Sequence, residues 1–196
     1  IQADCDSFCD LRKDVMEILN LCERPELSSK AALWFSSKWG VSKEAYEESI
    51  KEAAAKEMAR NMTGQRKEYA VSGGRTIRYY AVPRWYIVLD EEENIIAGAG
   101  IVENDFNERK DLSPNLCALF VDEQWRNRGI AGRILDFALR NMGSFGIERL
   151  YLLTEHTDFY EKYGWKFMTM AKYDDGELLR LYAADCTPPQ PAQGIE

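Results

Sequence analysis

Apolar and polar positions alternate in two different ways along the chain, and the change falls near Lys67. Before it, apolar residues recur at the spacing of one helical face. This spacing predicts a helix from Asp10 to Cys22, a second helix from near Ser28 to Gly40, and a third that Ser42 caps. The apolar stripe of the third helix is formed by Tyr46, Ile50, Ala53, Ala54 and Met58.

From Lys67 onward the pattern is that of short strands separated by turns. Residues 67–82 are predicted to form a hairpin with its turn at residues 72–75, and residues 85–89 and 95–102 form a second antiparallel pair. Further strands are predicted over residues 116–121, 150–154, 165–171 and 178–182, and the last two close as a hairpin.

Two helices interrupt these strands, one after Gly129 and a short one over residues 157–163 that ends at Gly164. The apolar face of the first is formed by Ala131, Ile134, Leu135, Ala138, Leu139 and Met142. This order of elements predicts an α/β fold of the α+β type: one domain over residues 1–186, with a mixed, largely antiparallel sheet flanked by helices. Residues 1–66 form its helical N-terminal part. The tail over residues 187–196 contains three prolines and is predicted to be disordered.

Composition excludes several classes of protein. A formal net charge of −8 argues against a nucleic-acid partner, which normally meets a basic face. No apolar run reaches membrane-spanning length, so no membrane association is expected. The five cysteines are an odd number without metal-ligand spacing, and there is one histidine, so no metal site is predicted. We expect reduced thiols and a cytoplasmic location.

A glycine-rich turn, residues 126–132, stands between a predicted strand and the helix that follows. The first N–H groups of a helix have no intrahelical partner, and glycine lets a ligand's oxygens approach closely. The turn therefore predicts an anion site, most naturally for phosphate. It lacks the Lys-Ser/Thr ending of a nucleotide P-loop and the G-x-G-x-x-G of a dinucleotide fold. Arg126, Arg128 and Arg133 surround it in an otherwise acidic chain.

Two motifs together are more specific than the turn alone. The run Arg126-x-x-Gly129-x-Ala131 is followed some thirty residues later by a Phe-Tyr-Glu-Lys-Tyr-Gly-Trp run over residues 159–165. In this order and separation they resemble the GNAT superfamily of N-acetyltransferases, with residues 85–182 as the part that bears the motifs. The resemblance implies a single GNAT-like domain, in which residues 67–82 are a hairpin insertion. The segments Trp34-Phe35, residues 38–40 and residues 103–106 are similar to a bacterial subgroup of unassigned substrate.

The resemblance also implies how acetyl-CoA is held, with no metal. Backbone N–H groups of the turn bind its pyrophosphate, and its pantetheine lies along the preceding strand, where a backbone N–H polarises the thioester carbonyl. The residues expected to bind the cofactor are Leu119, Phe120, Val121, Arg126, Asn127, Arg128, Gly129, Ile130, Ala131, Gly132 and Arg133.

Amine acetylation needs a proton donor for the thiolate and an acceptor for the amine proton. Tyr160 matches the tyrosine of the family's Phe-Tyr motif and is the expected general acid. Glu103 and Asp105 are the candidate bases, with a solvated loop as the alternative, and they could also attract a cationic substrate. His156 is interpreted as a structural histidine, with a base or CoA contact as the alternative. Cys117 is interpreted as a core residue rather than a nucleophile.

Trp34 and Trp39, with Tyr46, are candidates for the acceptor pocket, although an aromatic helix face is usually core. The expected function is direct transfer of the acetyl group of acetyl-CoA to the primary amine of a small molecule. Two alternatives stay open at this point, acetylation of a peptide or protein amine and a CoA-binding sensory module without turnover. A homodimer is also left open.

Overall fold

The computed structural model describes residues 16–63, 68–71, 75–78 and 81–187. The predicted helix start at Asp10 and the predicted disorder beyond Thr187 lie outside these residues. The helices are α1 (Ser28–Ser36), α2 (Lys43–Thr63) and α3 (Ile130–Ser144). The strands are β1 (Ile18–Asn20), β2 (Glu68–Val71), β3 (Arg75–Arg78), β4 (Arg84–Leu89), β5 (Ile95–Val102), β6 (Asn115–Val121), β7 (Arg149–Thr154), β8 (Lys166–Lys172) and β9 (Leu178–Asp185).

The main sheet has seven strands in the order β1-β4-β5-β6-β7-β9-β8. Its neighbours pair antiparallel except β6 and β7, which are parallel and are joined through α3. The predicted fold class, an α+β protein with a largely antiparallel sheet flanked by helices, is therefore confirmed. Strands β2 and β3 pair separately, with Val71 opposite Arg75, as predicted for the 67–82 hairpin.

The prediction of a helix from Asp10 to Cys22 is wrong in its described part, so residues 1–66 are not wholly helical. Ile18–Asn20 forms β1 and pairs antiparallel with β4, with Leu19 opposite Ile87. Without β1, the outer edge of β4 would leave its backbone groups without a partner, and strand pairing satisfies them. Tertiary pairing has overridden a helical spacing of apolar residues here.

Helices cover both faces of the sheet. Along β4, Trp85 and Ile87 pack with the helices α1 and α2, whereas Tyr86 and Val88 lie in the core clusters that contain α3 residues. This alternation follows from the two-residue period of a strand. Helix α1 approaches β5 closely, since a Cβ at Gly98 would stand 2.8 Å from the ring of Phe35.

Helix α2 confirms its predicted cap, because the Ser42 hydroxyl accepts a hydrogen bond of 3.2 Å from the N–H of Ala45. Its predicted apolar stripe is wrong at one end, since Met58 is 66% exposed. The adjacent Glu57 faces the protein instead and pairs with the buried guanidinium of Arg84 at 2.5 Å. A buried charge needs such a partner, so the ion pair determines which side of the last turns faces inward.

Candidate active site

Strands β6 and β7 pair only at Asn115 and Tyr151, and from there they separate. Two cavities lie along the resulting fork. The first, about 480 Å³, is called the aromatic cavity here because six rings line it, those of Trp39, Tyr46, Trp85, Phe106, Tyr160 and Tyr173. The second, about 450 Å³, is called the turn cavity because residues of the glycine-rich turn line it. The two cavities share Trp39, Leu119, His156 and Tyr160 in their walls.

A β-bulge in β6 forms one wall of the fork. Gly98 pairs with Phe120 and Gly100 with Cys117, so Ala118 and Leu119 together oppose one residue of β5. Ala118 has a φ of +52°, a left-handed conformation that costs a non-glycine residue about 1–3 kcal/mol. The extra residue of a bulge is left out of the hydrogen-bond ladder. The bulge therefore leaves backbone polar groups available beside Leu119, which borders both cavities, and no glycine in β6 signals it.

The turn cavity is built on the start of α3. Gly129 precedes the helix with a φ of +73°, and nothing lies within 4 Å of the position that a Cβ would take. The first turn of α3 thus presents unpartnered N–H groups and the positive end of the helix dipole on an open side. Of the predicted cofactor-binding residues, those that line this cavity are Leu119, Phe120, Val121, Arg126, Asn127, Gly129, Ile130 and Ala131.

The other predicted cofactor-binding residues, Arg128, Gly132 and Arg133, do not line the turn cavity. The guanidinium of Arg128 lies 4.7 Å from the ring centroid of Trp125. Arg133 donates a hydrogen bond to the carbonyl of Met16. A Cβ at Gly132 would stand 2.4 Å from the ring of Tyr163, so the missing side chain serves packing there. These residues hold the turn against its surroundings.

At the end of β6, beside the glycine-rich turn, two cationic side chains lie over the ring of Phe120 and stabilise the strand end. The ammonium of Lys38 lies 5.0 Å from the centroid of Phe120 and 2.7 Å from the carboxylate of Asp122. The guanidinium of Arg126 lies 5.5 Å from the same ring, and its Nε donates a 3.0 Å hydrogen bond to the carbonyl of Val121. Trp34 packs edge-on against Phe120 at 6.0 Å and lines neither cavity. Of the two predicted substrate-binding tryptophans, Trp39 alone borders the cavities, from the turn that follows α1.

Tyr160 stands where the two cavities meet. It begins a 3-10 turn, Tyr160–Tyr163, which replaces most of the predicted short helix and ends at Gly164 with a φ of +81°. The side chain is buried. Burial, helped by the nearby Asp105 carboxylate, raises the pKa of Tyr160 to about 12. The phenol therefore keeps its proton at neutral pH.

Asp105 lines the aromatic cavity, whereas Glu103 is exposed and lines neither cavity. Burial raises the pKa of the Asp105 carboxyl from 3.8 to about 6. Its charge is felt across the cavity, since it adds to burial in raising the pKa of the Tyr46 and Tyr173 phenols. The sequence makes Asp105 and Glu103 equal candidates for the base, but in the structure only Asp105 borders a cavity.

Two buried asparagines hold the loop that carries Asp105. The side-chain oxygen of Asn115 accepts hydrogen bonds from the backbone N–H of Asp105 at 2.8 Å and from the amide of Asn107 at 3.0 Å. The Asn115 amide donates to the carbonyl of Leu112 at 2.8 Å, and Asn104 accepts from the N–H of Asn107 at 3.0 Å. Sequence reasoning missed this network. Its one signal was the asparagine-rich loop followed by an asparagine at the start of a buried strand.

Cys117 and His156 also border the aromatic cavity. Burial raises the pKa of the Cys117 thiol well above its usual range, and the Asp105 carboxylate adds to the effect. A thiol in that state is a poor nucleophile, because the thiolate is the reactive form. His156 is exposed; its ring lies 6.1 Å from that of Phe159, and its backbone N–H donates to the Thr154 hydroxyl at 3.0 Å.

Among the described residues, no helix has both the length and the apolar character needed to cross a membrane. No group of three or more His, Cys, Asp or Glu side chains in this part of the chain is placed to hold a metal ion.

Comparison with known proteins finds a family match over part of the chain. Residues 83–167 match the family model of the acetyltransferase (GNAT) domain. No curated protein matches the chain with significant similarity.

The solved structures that match the chain share little sequence with it. A GNAT-family acetyltransferase from Staphylococcus aureus Mu50 is 20% identical over 55% of this chain and 70% of that chain, with a TM-score of 0.41. One from Elizabethkingia anophelis with acetyl-CoA bound is 17% identical over 55% and 78%, with a TM-score of 0.42. The ribosomal-protein-S18-alanine N-acetyltransferase from Escherichia coli is 14% identical over 58% and 75%, with a TM-score of 0.42.

The predicted resemblance to the GNAT superfamily is confirmed by the family model. The fork of the sheet, the Gly129 turn and Tyr160 all lie between residues 83 and 167. Residues 83–167 thus match the acetyltransferase (GNAT) domain and carry these three features, whereas the aromatic cavity is also lined by residues before and after them, such as Tyr46 and Tyr173.

Proposed function

We propose that this protein transfers the acetyl group of acetyl-CoA directly to the primary amine of a small molecule. The observation that carries the proposal is the meeting of two cavities at Tyr160 and Leu119, one beside a helix N-terminus and one around Asp105. Direct transfer needs such an arrangement, because donor and acceptor must meet in one orientation before the thioester can be attacked.

The turn cavity fits the pyrophosphate and pantetheine of acetyl-CoA. Gly129 leaves open space where a side chain would stand, and the first N–H groups of α3 are suited to an anion. Arg126 adds positive charge at the same wall. We assign the pyrophosphate to residues 126–131 and the pantetheine to the strand end at residues 119–121, where the Ala118 bulge leaves backbone groups for the thioester carbonyl.

Asp105 is the proposed base, in preference to Glu103. The attacking amine must be neutral, yet a primary amine with a pKa near that of lysine, about 10, arrives as an ammonium ion. Burial raises the pKa of the Asp105 carboxyl, and because both charged groups lose hydration in the cavity, it favours the neutral amine and carboxylic acid over the ion pair. The proton can therefore move from the amine to Asp105, directly or through water, as the acceptor enters the aromatic cavity.

Tyr160 is the proposed general acid. Its raised pKa keeps the phenol protonated, and it lies at the junction where a leaving thiolate would form. A thiol has a pKa of about 8.5 in water, so proton transfer from the phenol to its thiolate would be uphill there. In the cavity, burial also raises the basicity of the thiolate, which reduces the mismatch. A hydrogen bond from Tyr160 stabilises the negative charge as the sulfur departs.

Two observations support direct transfer to a small amine. The thiol of Cys117 is held protonated by burial, which disfavours an acetyl-cysteine intermediate. The aromatic cavity is walled by α2 residues on one side and by Tyr173 and Leu179 of the terminal hairpin region on the other. Its volume of about 480 Å³ falls in the range of small-ligand sites. A peptide acceptor or a CoA sensor without turnover are the alternative outcomes of the test below.

The test has two measurements, acetyl-CoA binding by calorimetry and release of free CoA with a panel of amines. Gly129→Glu places a carboxylate at the helix start, and we expect it to weaken acetyl-CoA binding about 100-fold or more through charge repulsion and loss of the open space. Gly176→Glu is the matched control, since Gly176 has a φ of +93°, also has nothing within 4 Å, and lies in the β8–β9 turn.

Equal acetyl-CoA affinity in the wild type and Gly129→Glu would overturn the cofactor assignment. Tight binding without CoA release on any amine or peptide would identify a sensor, and release with peptides alone would identify a peptide acceptor.

Two further predictions from the sequence are kept as proposals. A cytoplasmic location is consistent with the free thiols of Cys22, Cys117 and Cys186 among the described residues. A homodimer is testable by light scattering at micromolar concentration.

A further inference from the structure

The wall of the aromatic cavity consists mostly of aromatic rings and aliphatic side chains. Six aromatic side chains line it, and Val41, Val102, Leu116, Leu153 and Leu179 fill much of the wall between them. Two of the aromatic side chains, Trp85 and Tyr46, are buried and in edge-to-face contact at 5.3 Å. Such a wall favours a flat or apolar ligand body, and the faces of the rings attract a cation.

The charged groups of this cavity are all acidic. Asp105 and Glu155 line it, and among the described residues in its wall there is no lysine or arginine. Asp105 is largely shielded from water, whereas Glu155 is exposed at the rim next to Glu177, whose pKa is raised by burial and by Glu155. A half-buried carboxylate is available for one ammonium group, and the described residues of the wall provide neither lysine nor arginine for an anionic group.

From this combination we infer that the acceptor is a monoamine with an aromatic or otherwise apolar body and no carboxylate. The inference rests on the proposed function and adds the substrate class to it. The ammonium group lies at Asp105, near Tyr160, and the apolar body occupies the ring-lined space between α2 and Tyr173.

The same wall disfavours two common kinds of amine. A free amino acid would bring its carboxylate into a cavity that already holds Asp105 and whose one basic side chain among the described lining residues, His156, is exposed at the rim; an unpaired buried charge is strongly unfavourable. A linear diamine would lose the hydration of its second ammonium group against rings and aliphatic carbons. Its second charge could reach only the exposed carboxylates at the rim, where water screens the attraction.

The test compares four amines, in two pairs, on the wild-type protein with saturating acetyl-CoA. 2-Phenylethylamine and phenylalanine differ by one carboxylate, and pentylamine and 1,5-diaminopentane differ by one ammonium group. We expect kcat/KM for 2-phenylethylamine to exceed that for phenylalanine about 100-fold or more, and pentylamine to exceed the diamine about tenfold. Calorimetric titration of each amine into the CoA-saturated protein gives the same ranking without relying on turnover.

A charge-introducing variant sharpens the test. Leu179 lines the aromatic cavity, whereas its neighbour Leu178 is 55% exposed and does not. Leu179→Arg places a guanidinium in the wall that can pair with the carboxylate of phenylalanine. We therefore expect the preference for 2-phenylethylamine over phenylalanine to fall at least tenfold. Leu178→Arg adds the same charge outside the cavity and leaves the preference unchanged.

The outcomes separate the inference from the proposed function. Preferred turnover of phenylalanine or of the diamine would overturn the substrate class while the acetyltransfer reaction stands. Failure of every amine to bind the CoA-saturated protein would also overturn the substrate class. Absence of acetyl-CoA binding would overturn the proposed function itself. The ranking stated above, in turnover or in binding, supports the inference whether or not Leu179→Arg folds.

Discussion

The turn cavity and the aromatic cavity have nearly equal volumes, about 450 and 480 Å³, but they are built from different materials. The turn cavity is walled mainly by two short stretches, residues 119–131 and 156–163, and its anion site consists of backbone N–H groups. The aromatic cavity draws side chains from α2, β4, the loop after β5, β6, β7 and the terminal hairpin. Backbone N–H groups are the same in many sequences, which is why our proposal assigns the common cofactor to the turn cavity and the choice of acceptor to the aromatic cavity.

The largest expected effect tests whether Asp105 governs the acceptor side. Asp105→Asn removes both the counter-ion and the base, so we expect kcat/KM for the amine to fall about 10²–10⁴-fold with acetyl-CoA affinity unchanged. Glu103→Gln is the matched comparison: Glu103 lies on the same loop, is exposed and borders neither cavity. We expect it to change kcat/KM less than about threefold. If kcat/KM fell further in Glu103→Gln than in Asp105→Asn, Glu103 rather than Asp105 would be the base.

The pH profile of the same variants distinguishes a base from a structural carboxylate. In the wild type, the ionised Asp105 is required, so kcat/KM rises with pH and levels above about 6. Asp105→Asn must take the rare neutral amine from solution, so its kcat/KM continues to rise toward the pKa of the amine, about 10. A wild-type profile without the lower limb would contradict the assignment.

Ionisation of Asp105 should lower the free energy of unfolding as the pH rises, whereas it raises the rate. The folded pKa of Asp105, about 6, lies above its usual value of 3.8, so the folded state binds the proton more tightly than the unfolded chain does. Its contribution to folding stability is therefore lost as pH rises from about 4 to about 6. Asp105→Asn removes this loss, which urea titrations at both pH values would detect.

The next-largest expected effect on the reaction concerns the junction between the cavities. Tyr160→Phe keeps the ring and removes the proton donor, so we expect kcat to fall about 100-fold while acetyl-CoA binding stays within about twofold. Tyr86→Phe is the control for losing a buried phenol, because its hydroxyl donates a 2.8 Å hydrogen bond to Asn141 outside both cavities. That variant loses about 1 kcal/mol of stability and keeps its rate. Equal rates in the two variants would remove Tyr160 from the chemistry.

The contrast between the cavities also explains what the sequence could predict. The glycine turn, the strand before it and the Tyr160 motif are local patterns, and the structure places Gly129, Arg126 and Tyr160 around one cavity. The two hairpins and the helix that became α2 are likewise predictable from local periodicity. The wrong predictions, a helix over residues 10–22 and a buried Met58, concern residues whose partners are distant in sequence. Residues 18–20 form a strand because they pair with β4, and Met58 is exposed because its neighbour Glu57 faces the protein and pairs with Arg84.

Nothing local distinguishes Asp105 from Glu103, since both stand in one acidic loop. Their difference comes from Asn115, which is ten positions away and fixes the backbone of Asp105. The bulge at Ala118 is equally invisible, because an alanine in a strand run gives no sign of a left-handed conformation. Sites made of side chains from many segments therefore require the fold before they can be identified.

A smaller effect on the rate is expected if Asn115 links the fork of the sheet to the proposed base, Asp105. Asn115→Ala would leave the N–H of Asp105 and the amide of Asn107 without their acceptor, so we expect about 2–3 kcal/mol of lost stability. We also expect kcat/KM for the amine to fall about tenfold as the loop loosens, because a small misplacement of a catalytic group lowers the rate. Asn141→Ala, which removes a side-chain hydrogen bond outside the cavities, should lower stability alone. An unchanged rate in Asn115→Ala would show that the loop is positioned by other contacts.

The smallest expected effect concerns Gly132, which the sequence placed in the phosphate site and the structure places against Tyr163. A methyl group at Gly132 would stand 2.4 Å from the Tyr163 ring, so Gly132→Ala must displace that ring, which borders the turn cavity. We expect the KM for acetyl-CoA to rise about three- to tenfold. The decisive measurement is the double variant: with Tyr163→Ala already present, the methyl group meets no ring, and adding Gly132→Ala should change the KM no further. If Gly132 instead contacts a phosphate directly, its substitution raises the KM by the same factor in both backgrounds, because the loss is then independent of the ring. The first result confines the backbone anion site to the turn before α3, and the second extends it into the helix.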